Sequence, residues 1–330
     1  MGDTSISWTH RPGTRGRSWN PIQGCQMVSP GCKNCYAMKM AARFAKNGWS
    51  KGLINLETGK WTGEKRLAEH KLLEPLSWRE PSTVFVNSMS DLFAFGNEVI
   101  AAVFGVMAVT PQHTYIVVTK RATEMREWFQ WAEQQWAGGT LFVRPAWVCT
   151  QALLGHLTRD EIDDYMRRRW LNTPVPWPLP NVWLLVSVEN QDYVWRIEQL
   201  LRTPAAVRGA SLEPLLGPVD LTHAGAWQGV PLSALEEIVG FVNRPPLDWV
   251  IAGCESGANR RPADSNWFRM IRDHCRAAGT PFFLKQASDR DPGGCVSGDW
   301  SDRRAGGIFE PPALDGVIHN AFPNPTKDEI

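Results

Sequence analysis

The stretch GCQMVSPGCKNCYA, residues 24–37, gathers Cys25, Cys32 and Cys35 into one short loop with no fourth cysteine beside them. Thiolates are soft ligands that select zinc, copper(I) and iron–sulfur clusters. A structural zinc site takes four protein ligands, so a three-cysteine loop poses a question about the missing one. Four readings compete. Three buried thiols are opposed by Gly24, Pro30 and Gly31, which favour an exposed turn, and by Lys33 and Asn34 between two of the cysteines. A zinc site needs a distant ligand such as His10. Redox thiols use the C-x-x-C of Cys32 and Cys35 and leave Cys25 without a role. A 4Fe-4S cluster gripped at three irons leaves the fourth iron open to a small molecule, and the open position is then where chemistry occurs.

Such a loop needs a scaffold to position it, and the rest of the chain supplies a recurrent theme. Six short β-branched or aromatic runs end in polar residues: TVFVNSMSD (83–91), TYIVVTKR (114–121), NVWLLVSVEN (181–190), AVRGASLEP (206–214), DWVIAGCES (248–256) and PFFLKQ (281–286). SWNPIQG, just before Cys25, is a weaker candidate for a first strand. Between the runs the apolar residues recur at helical spacing. Ala37, Met40, Ala41 and Phe44 share one face; so do Ile100, Val103, Phe104 and Met107; Met125, Trp128, Phe129 and Ala132; and Phe268, Ile271 and Cys275. Apolar strands alternating with amphipathic helices predict a parallel sheet covered by helices. About seven units predict a partial or full (β/α) barrel, in which chemistry gathers at the carboxyl ends of the strands. Residues 1–290 are read as this barrel, with an insertion at about 138–180 that contains a surface helix spaced as a capping box, Thr158 to Glu161, and serves as a lid. Residues 291–330 are read as an irregular tail packed on the barrel.

Bulk composition narrows the class. The 330 residues are 43% apolar and 21% charged, with a net charge of +1, so no global bias marks a nucleic-acid or membrane binder. The seven cysteines are odd in number, and Cys149, Cys254, Cys275 and Cys295 are scattered, unlike a secreted disulfide scaffold. MGDTSISWTHRPG lacks the apolar run of a signal peptide, and no stretch has the length of a membrane span. A cytoplasmic protein is expected. The seventeen tryptophans are core filling or, for some, platforms on which a base stacks.

C-x6-C-x2-C followed by Tyr36, together with SWNPIQGCQMVSPGCKNCYA, FVNSMSDLF, HTYIVVTKRATEM, VWLLVSVENQ, TPAAVRGASLEPLLGPVDL, LDWVIAGCESGANRRP, AGTPFFLKQ and LDGVIHNAFP, resembles a phage-associated family of radical S-adenosylmethionine (SAM) proteins, from residue 18 to about 322. The chain departs from most radical-SAM proteins in its first gap, where six residues stand in place of three.

The resemblance implies that Cys25, Cys32 and Cys35 hold three irons of a 4Fe-4S cluster while the fourth takes the amino and carboxylate groups of SAM. An electron from a flavodoxin or ferredoxin then splits the sulfonium and yields a 5′-deoxyadenosyl radical. Asp91, with Ser88 and Ser90, is expected to hold the methionine amino group. Ser187, Glu189 and Asn190 are expected to reach the carboxylate or ribose, Tyr36 to flank the cofactor, and Glu255 to stand at the adenine side. Glu189, Glu213, Glu255 and Lys120 are the expected catalytic groups. Arg121, Arg260, Arg261, Lys285 and Gln286 are expected to face the substrate, with Lys120 and Arg121 together gripping a phosphate. Ion pairs rimming the barrel are the competing use of these charges.

The implied substrate is a pyrimidine base or nucleotide of phage DNA in the host cytoplasm, and the narrowest version is an isomerase that moves an amino-acid substituent on thymine. His10, Arg11, Arg15 and Arg17 form a basic segment that either follows a nucleic-acid backbone or is simply a solvated arm, the commoner case. Two alternatives stay open: a lesion-reversing radical enzyme with Cys254 as hydrogen donor, and a non-catalytic zinc-bearing nucleic-acid-binding module.

Overall fold

The computed structural model describes residues 4–135, 144–158, 175–227, 230–235, 247–256, 259–287, 296–297 and 312–324. Seven strands form one sheet: β1 (Arg15–Trp19), β2 (Ser82–Val86), β3 (Thr114–Thr119), β4 (Val182–Ser187), β5 (Val207–Leu212), β6 (Trp249–Gly253) and β7 (Phe282–Gln286). All pair in parallel and in chain order. The sheet curls into a half-barrel that stays open between β1 and β7, which agrees with the partial barrel expected from the repeated strand endings. β2 to β7 are the six runs read from the sequence. The first strand is corrected: it spans residues 15–19 rather than the SWNPIQG stretch, because Pro21 cannot donate to a ladder and Arg15 to Trp19 pair with Ser82 to Val86.

Parallel strands need crossovers, and helices supply several of them: α1 (Tyr36–Arg43), α2 (Asn97–Val109), α3 (Ala122–Gln134), α4 (Arg144–Leu154), α5 (Trp195–Leu201) and α6 (Ser265–Ala278). Local chemistry fixes their ends. In α6 the Asp264 carboxylate accepts from the Asn266 amide at 2.8 Å, and Gly279 ends the helix at φ 70°, a conformation that suits glycine. Helix α2 is buried along its length from Ile100 to Val109 because α4 packs on its far side. The described part of the 138–180 insertion is therefore an extra layer over the helices. The capped helix expected from Thr158 onward lies outside the described residues.

Alternation along the strands splits the core into two clusters. Val84, Val86, Tyr115, Val117, Leu184, Val186, Val250 and Leu284 face the helices. Phe85, Ile116, Trp183, Leu185, Val207, Trp249, Ile251 and Phe283 face inward. A single turn at Ser7–Thr9 covers this inner layer, packing against β1, β2 and β7. Its Trp8 lies edge-on to Phe85 at 4.7 Å and to Trp249 at 6.4 Å. The tail adds Phe322, 5.5 Å from Trp249. Trp8, Trp19, Trp183 and Trp249 are thus core residues.

Two expectations change. Within the described residues the tail is not wholly irregular: Ala313–Leu314 and Val317–Ile318 form a hairpin, and the His319 carbonyl accepts from the Leu284 amide of β7 at 2.8 Å. In α1 the buried residues are Ala37, Met38 and Ala41, of which Met38 and Ala41 pack with Ala45 and Ile54, while Met40 and Phe44 are exposed. Small alanines let the helix lie close to its neighbours, and the larger side chains are left outside. No helix among the described residues is long and apolar enough to cross a membrane.

Trp8 is 3% exposed and caps the inner layer. Trp8→Ala is expected to cost about 3–5 kcal/mol of stability, measured as a lower urea midpoint with an unchanged slope.

Candidate active site at the carboxyl end of the sheet

Beyond the apolar layer the same inward-facing positions turn polar. Two residues on from Phe85 stands Asn87; from Val118, Lys120; from Leu185, Ser187 and then Glu189; from Gly209, Ser211 and then Glu213; from Ile251, Gly253 and then Glu255; from Phe283, Lys285. A strand period of two therefore gathers Lys120, Glu189, Glu213, Glu255 and Lys285 around one mouth.

Glu189 is its most constrained member, at 0% exposure. Lys120 Nζ lies 3.0 Å from its Oε1 and Arg196 Nη1 2.9 Å from its Oε2. The Ser29 hydroxyl, from the cysteine loop, donates to the same carboxylate. Gly31 presses against it so closely that a Cβ there would lie 2.5 Å from Glu189 Oε1. Burial pushes the Glu189 carboxyl up, but Lys120, Arg196 and the Ser29 hydroxyl outweigh it and hold it below the ordinary glutamate value.

A second staple grips the other end of the loop. Glu255 accepts from Asn34 Nδ2 at 2.8 Å and from the Arg261 backbone and side chain at 2.9 and 3.1 Å. Arg261 also donates to the Pro30 carbonyl at 3.0 Å. Burial raises Glu255, and Arg261 with Asn34 brings it below its ordinary value. Lys285 pairs with Glu213. The charges read as substrate contacts or catalysts thus appear as three ion pairs: Lys120–Glu189, Arg261–Glu255 and Lys285–Glu213.

The thiols lie between these staples and the end of β2. Cys35 stands at the N-cap of α1, and the Tyr36 hydroxyl donates to the Ser88 carbonyl. Ser88 donates to Asn20 at 3.2 Å and Ser90 to the Ile22 carbonyl at 3.0 Å, so both brace the turn that leads into the cysteines. Asp91 is buried and accepts from Thr119 Oγ1 at 2.7 Å, the Lys120 amide at 3.0 Å and the Phe93 amide at 3.1 Å. Burial nevertheless raises its pKa. Burial first, then Asp91, Cys35 and Cys32, push the Cys25 thiol up to about 12. Burial likewise raises Cys35, with Cys32 adding to the shift and Lys120 opposing it.

Among the described residues, no group of three or more His, Cys, Asp or Glu side chains is gathered tightly enough to hold a metal ion. The donor set still suits a soft iron–sulfur centre: three thiols on one loop, each half-buried, whose mutual repulsion as thiolates a cationic centre would relieve. His10, the distant ligand weighed for zinc, is hydrogen-bonded instead to the Thr4 carbonyl at 2.9 Å.

Other sequence-selected residues fall further out. Arg121 parts from Lys120, pairing with Glu124 at 3.1 Å and lining a cleft with Phe93, Phe95 and Trp128. Alternation sends these two neighbours to opposite sides, so they do not grip one phosphate together. Arg260 is half-buried beside Arg261. Gln286 is buried and donates to the Cys254 carbonyl at 2.7 Å, and Cys254 belongs to the helix-side core. The Ser187 carbonyl accepts from Arg196 at 2.8 Å, and Asn190 donates to Asp192 at 3.3 Å. Asn87 was missed by sequence reasoning. It is buried at φ 57°, and both polar atoms of its amide lack a hydrogen-bond partner. An orphaned amide at this mouth is a place for a ligand to complete. Its signal was an asparagine just after an apolar run, since asparagine is enriched in the left-handed region.

The staples can be tested by substitution and by pH. Glu189→Ala strands Lys120 and Arg196 and is expected to cost about 3–5 kcal/mol by chemical denaturation; Gly31→Ala is expected to displace the loop and lower the urea midpoint, because its Cβ would lie 2.5 Å from Glu189 Oε1. Glu189 and Glu255 sit below their ordinary value, so the stability they contribute is complete above it and is lost as pH falls through the folded-state values. Raised Asp91 acts in the opposite sense. The urea midpoint is expected to fall as pH drops below about 4.3, the ordinary glutamate pKa, and to fall less in Glu189→Gln.

The model of a family described as "Protein of unknown function (DUF5131)" matches residues 3–323. No curated protein and no solved structure matches the chain. Because the match spans the half-barrel, the cysteine loop and both staples, the chain belongs to the DUF5131 family.

Proposed function

We propose that this protein is a radical-SAM enzyme that modifies a pyrimidine base or nucleotide of phage DNA. One observation carries the reading: a three-thiol loop is stapled by Glu189 and Glu255 over the carboxyl-end mouth of a parallel half-barrel. Cys25, Cys32 and Cys35 would hold a 4Fe-4S cluster. With SAM bound and one electron from a flavodoxin or ferredoxin, such a cluster would supply 5′-deoxyadenosyl radical chemistry.

The chain's own residues do the rest. Asp91, already fixed by three donors, offers a carboxylate to an ammonium group. Asn87 offers an unpaired amide. Glu189 with its two cations makes a charged floor, beneath which the apolar inner layer excludes water. Lys285 and Glu213, each about one-fifth exposed, are the ion pair best placed to open toward a polar substrate. An isomerase acting on an amino-acid substituent of thymine is the narrowest form of the proposal. It follows the resemblance to the phage-associated family, and so does the placement in the host cytoplasm.

An anaerobic preparation tests the reading. The expected result is a brown protein containing iron and sulfide that forms 5′-deoxyadenosine from SAM under reduction. Cys25→Ala, Cys32→Ala and Cys35→Ala should each abolish that product. A colourless protein containing zinc would contradict the proposal and support a binding module.

A further inference from the structure

We infer that the exposed face of α1, with the turn after it, is a docking surface for a single nucleic-acid strand beside the cysteine loop. The inference deepens the proposed function and rests on it for the class of substrate: it assigns a polymer rather than a free nucleotide.

Charge is the first observation. The chain as a whole is balanced, with 35 basic and 34 acidic residues, yet no Asp or Glu occurs between Asp3 and Glu57, where eight Lys and Arg stand. Arg11, Arg15 and Arg17 are used by the fold, lying over Trp183, beside Glu80 and over Trp78. The other five are Lys33, Lys39, Arg43, Lys46 and Lys51. All are exposed, and none has an ion-pair partner among the described residues. The loop at 57–64 adds two acids, Glu57 and Glu64, and one further cation, Lys60, so the surface stays positive.

Exposed apolar surface is the second. Nine large apolar side chains are exposed among the described residues, and five lie between residues 27 and 44: Met27, Val28, Tyr36, Met40 and Phe44. Tyr36 and Met40 on α1 and Phe44 at its C-cap fall at i, i+4 and i+8, so they form one stripe. Lys39 and Arg43 run beside it. Cations and rings therefore interleave along the face. A protein interface instead tends to an apolar centre with a polar rim, whereas interleaving suits a strand whose phosphates meet cations while its bases stack on rings. Position is the third observation. Tyr36 follows Cys35 directly and is tied to Ser88 at the end of β2, so a strand on this face passes the mouth.

The test is a titration of a fluorescent single-stranded oligonucleotide with the full chain, read by anisotropy at several salt concentrations. Five phosphate contacts give a slope of about −3.5 in log K against log salt, at about 0.7 per phosphate. Lys39→Glu with Arg43→Glu is expected to weaken binding at least tenfold at low salt and to flatten the slope by about 1.4. Phe44→Ala is expected to weaken binding about fivefold or more with the slope unchanged. Arg79→Glu, at the opposite end of the sheet, should bind as the wild type does. If the double variant fails to fold, Lys46→Glu with Lys51→Glu reads the same slope. Wild-type affinity in the folded charge-reversal variants would overturn the inference. So would competition by poly-glutamate as strong as by unlabelled oligonucleotide, which would make the face a site for an acidic protein. Binding is read without reduction or turnover, so its loss leaves SAM cleavage measurable, and a failed cluster leaves this binding intact.

Discussion

The site depends on one buried carboxylate. Glu189 lies at 0% exposure, where an unpaired charge would be untenable. Two cations from the scaffold neutralise it, and one hydroxyl from the cysteine loop completes it. The carboxylate must be formed for the sheet's own charges to balance, and once formed it provides an acceptor over which Ser29 and Gly31 settle. Glu255 repeats the device on the other side through Asn34 and Arg261. The two staples bracket Cys32. Cys25 lies outside them, and its position rests on the turn braced by Ser88 and Ser90.

The scaffold reaches this arrangement by a single alternation. Along each strand one face packs under the helices and the other points inward. The inward face begins with large rings and branched side chains, closed over by Trp8 and Phe322, and ends in charges. The apolar floor gives the strands their register, and that register sets which charges meet across the mouth. Lys120 faces Glu189 from the neighbouring strand, and Lys285 faces Glu213 across β6. The ion pairs at the mouth and the packing of the core are therefore written in the same strands.

Much of this was legible in the sequence because parallel strands are short apolar runs with polar ends, and six of the seven announced themselves so. The first did not: Arg15 to Trp19 is an edge strand with polar side chains, and no apolar run marks it. Period also misplaced the face of α1, since alanines carry little hydrophobic signal and yet pack closest. The charges were found as individuals, but their pairing was not legible, because it depends on which strands are neighbours. Lys120 and Arg121 looked like one basic grip and are sent apart by alternation. Asn87 escaped because its distinction is conformational: a left-handed backbone and an unpartnered amide.

The central proposal is that the stapled loop would seat an iron–sulfur centre with one iron open to a ligand. Electron paramagnetic resonance of the reduced protein, before and after addition of SAM, tests it most directly. The account predicts a reduced-cluster signal that changes when SAM binds the open iron. A protein with no such signal after anaerobic loading, or with a signal indifferent to SAM, would contradict it.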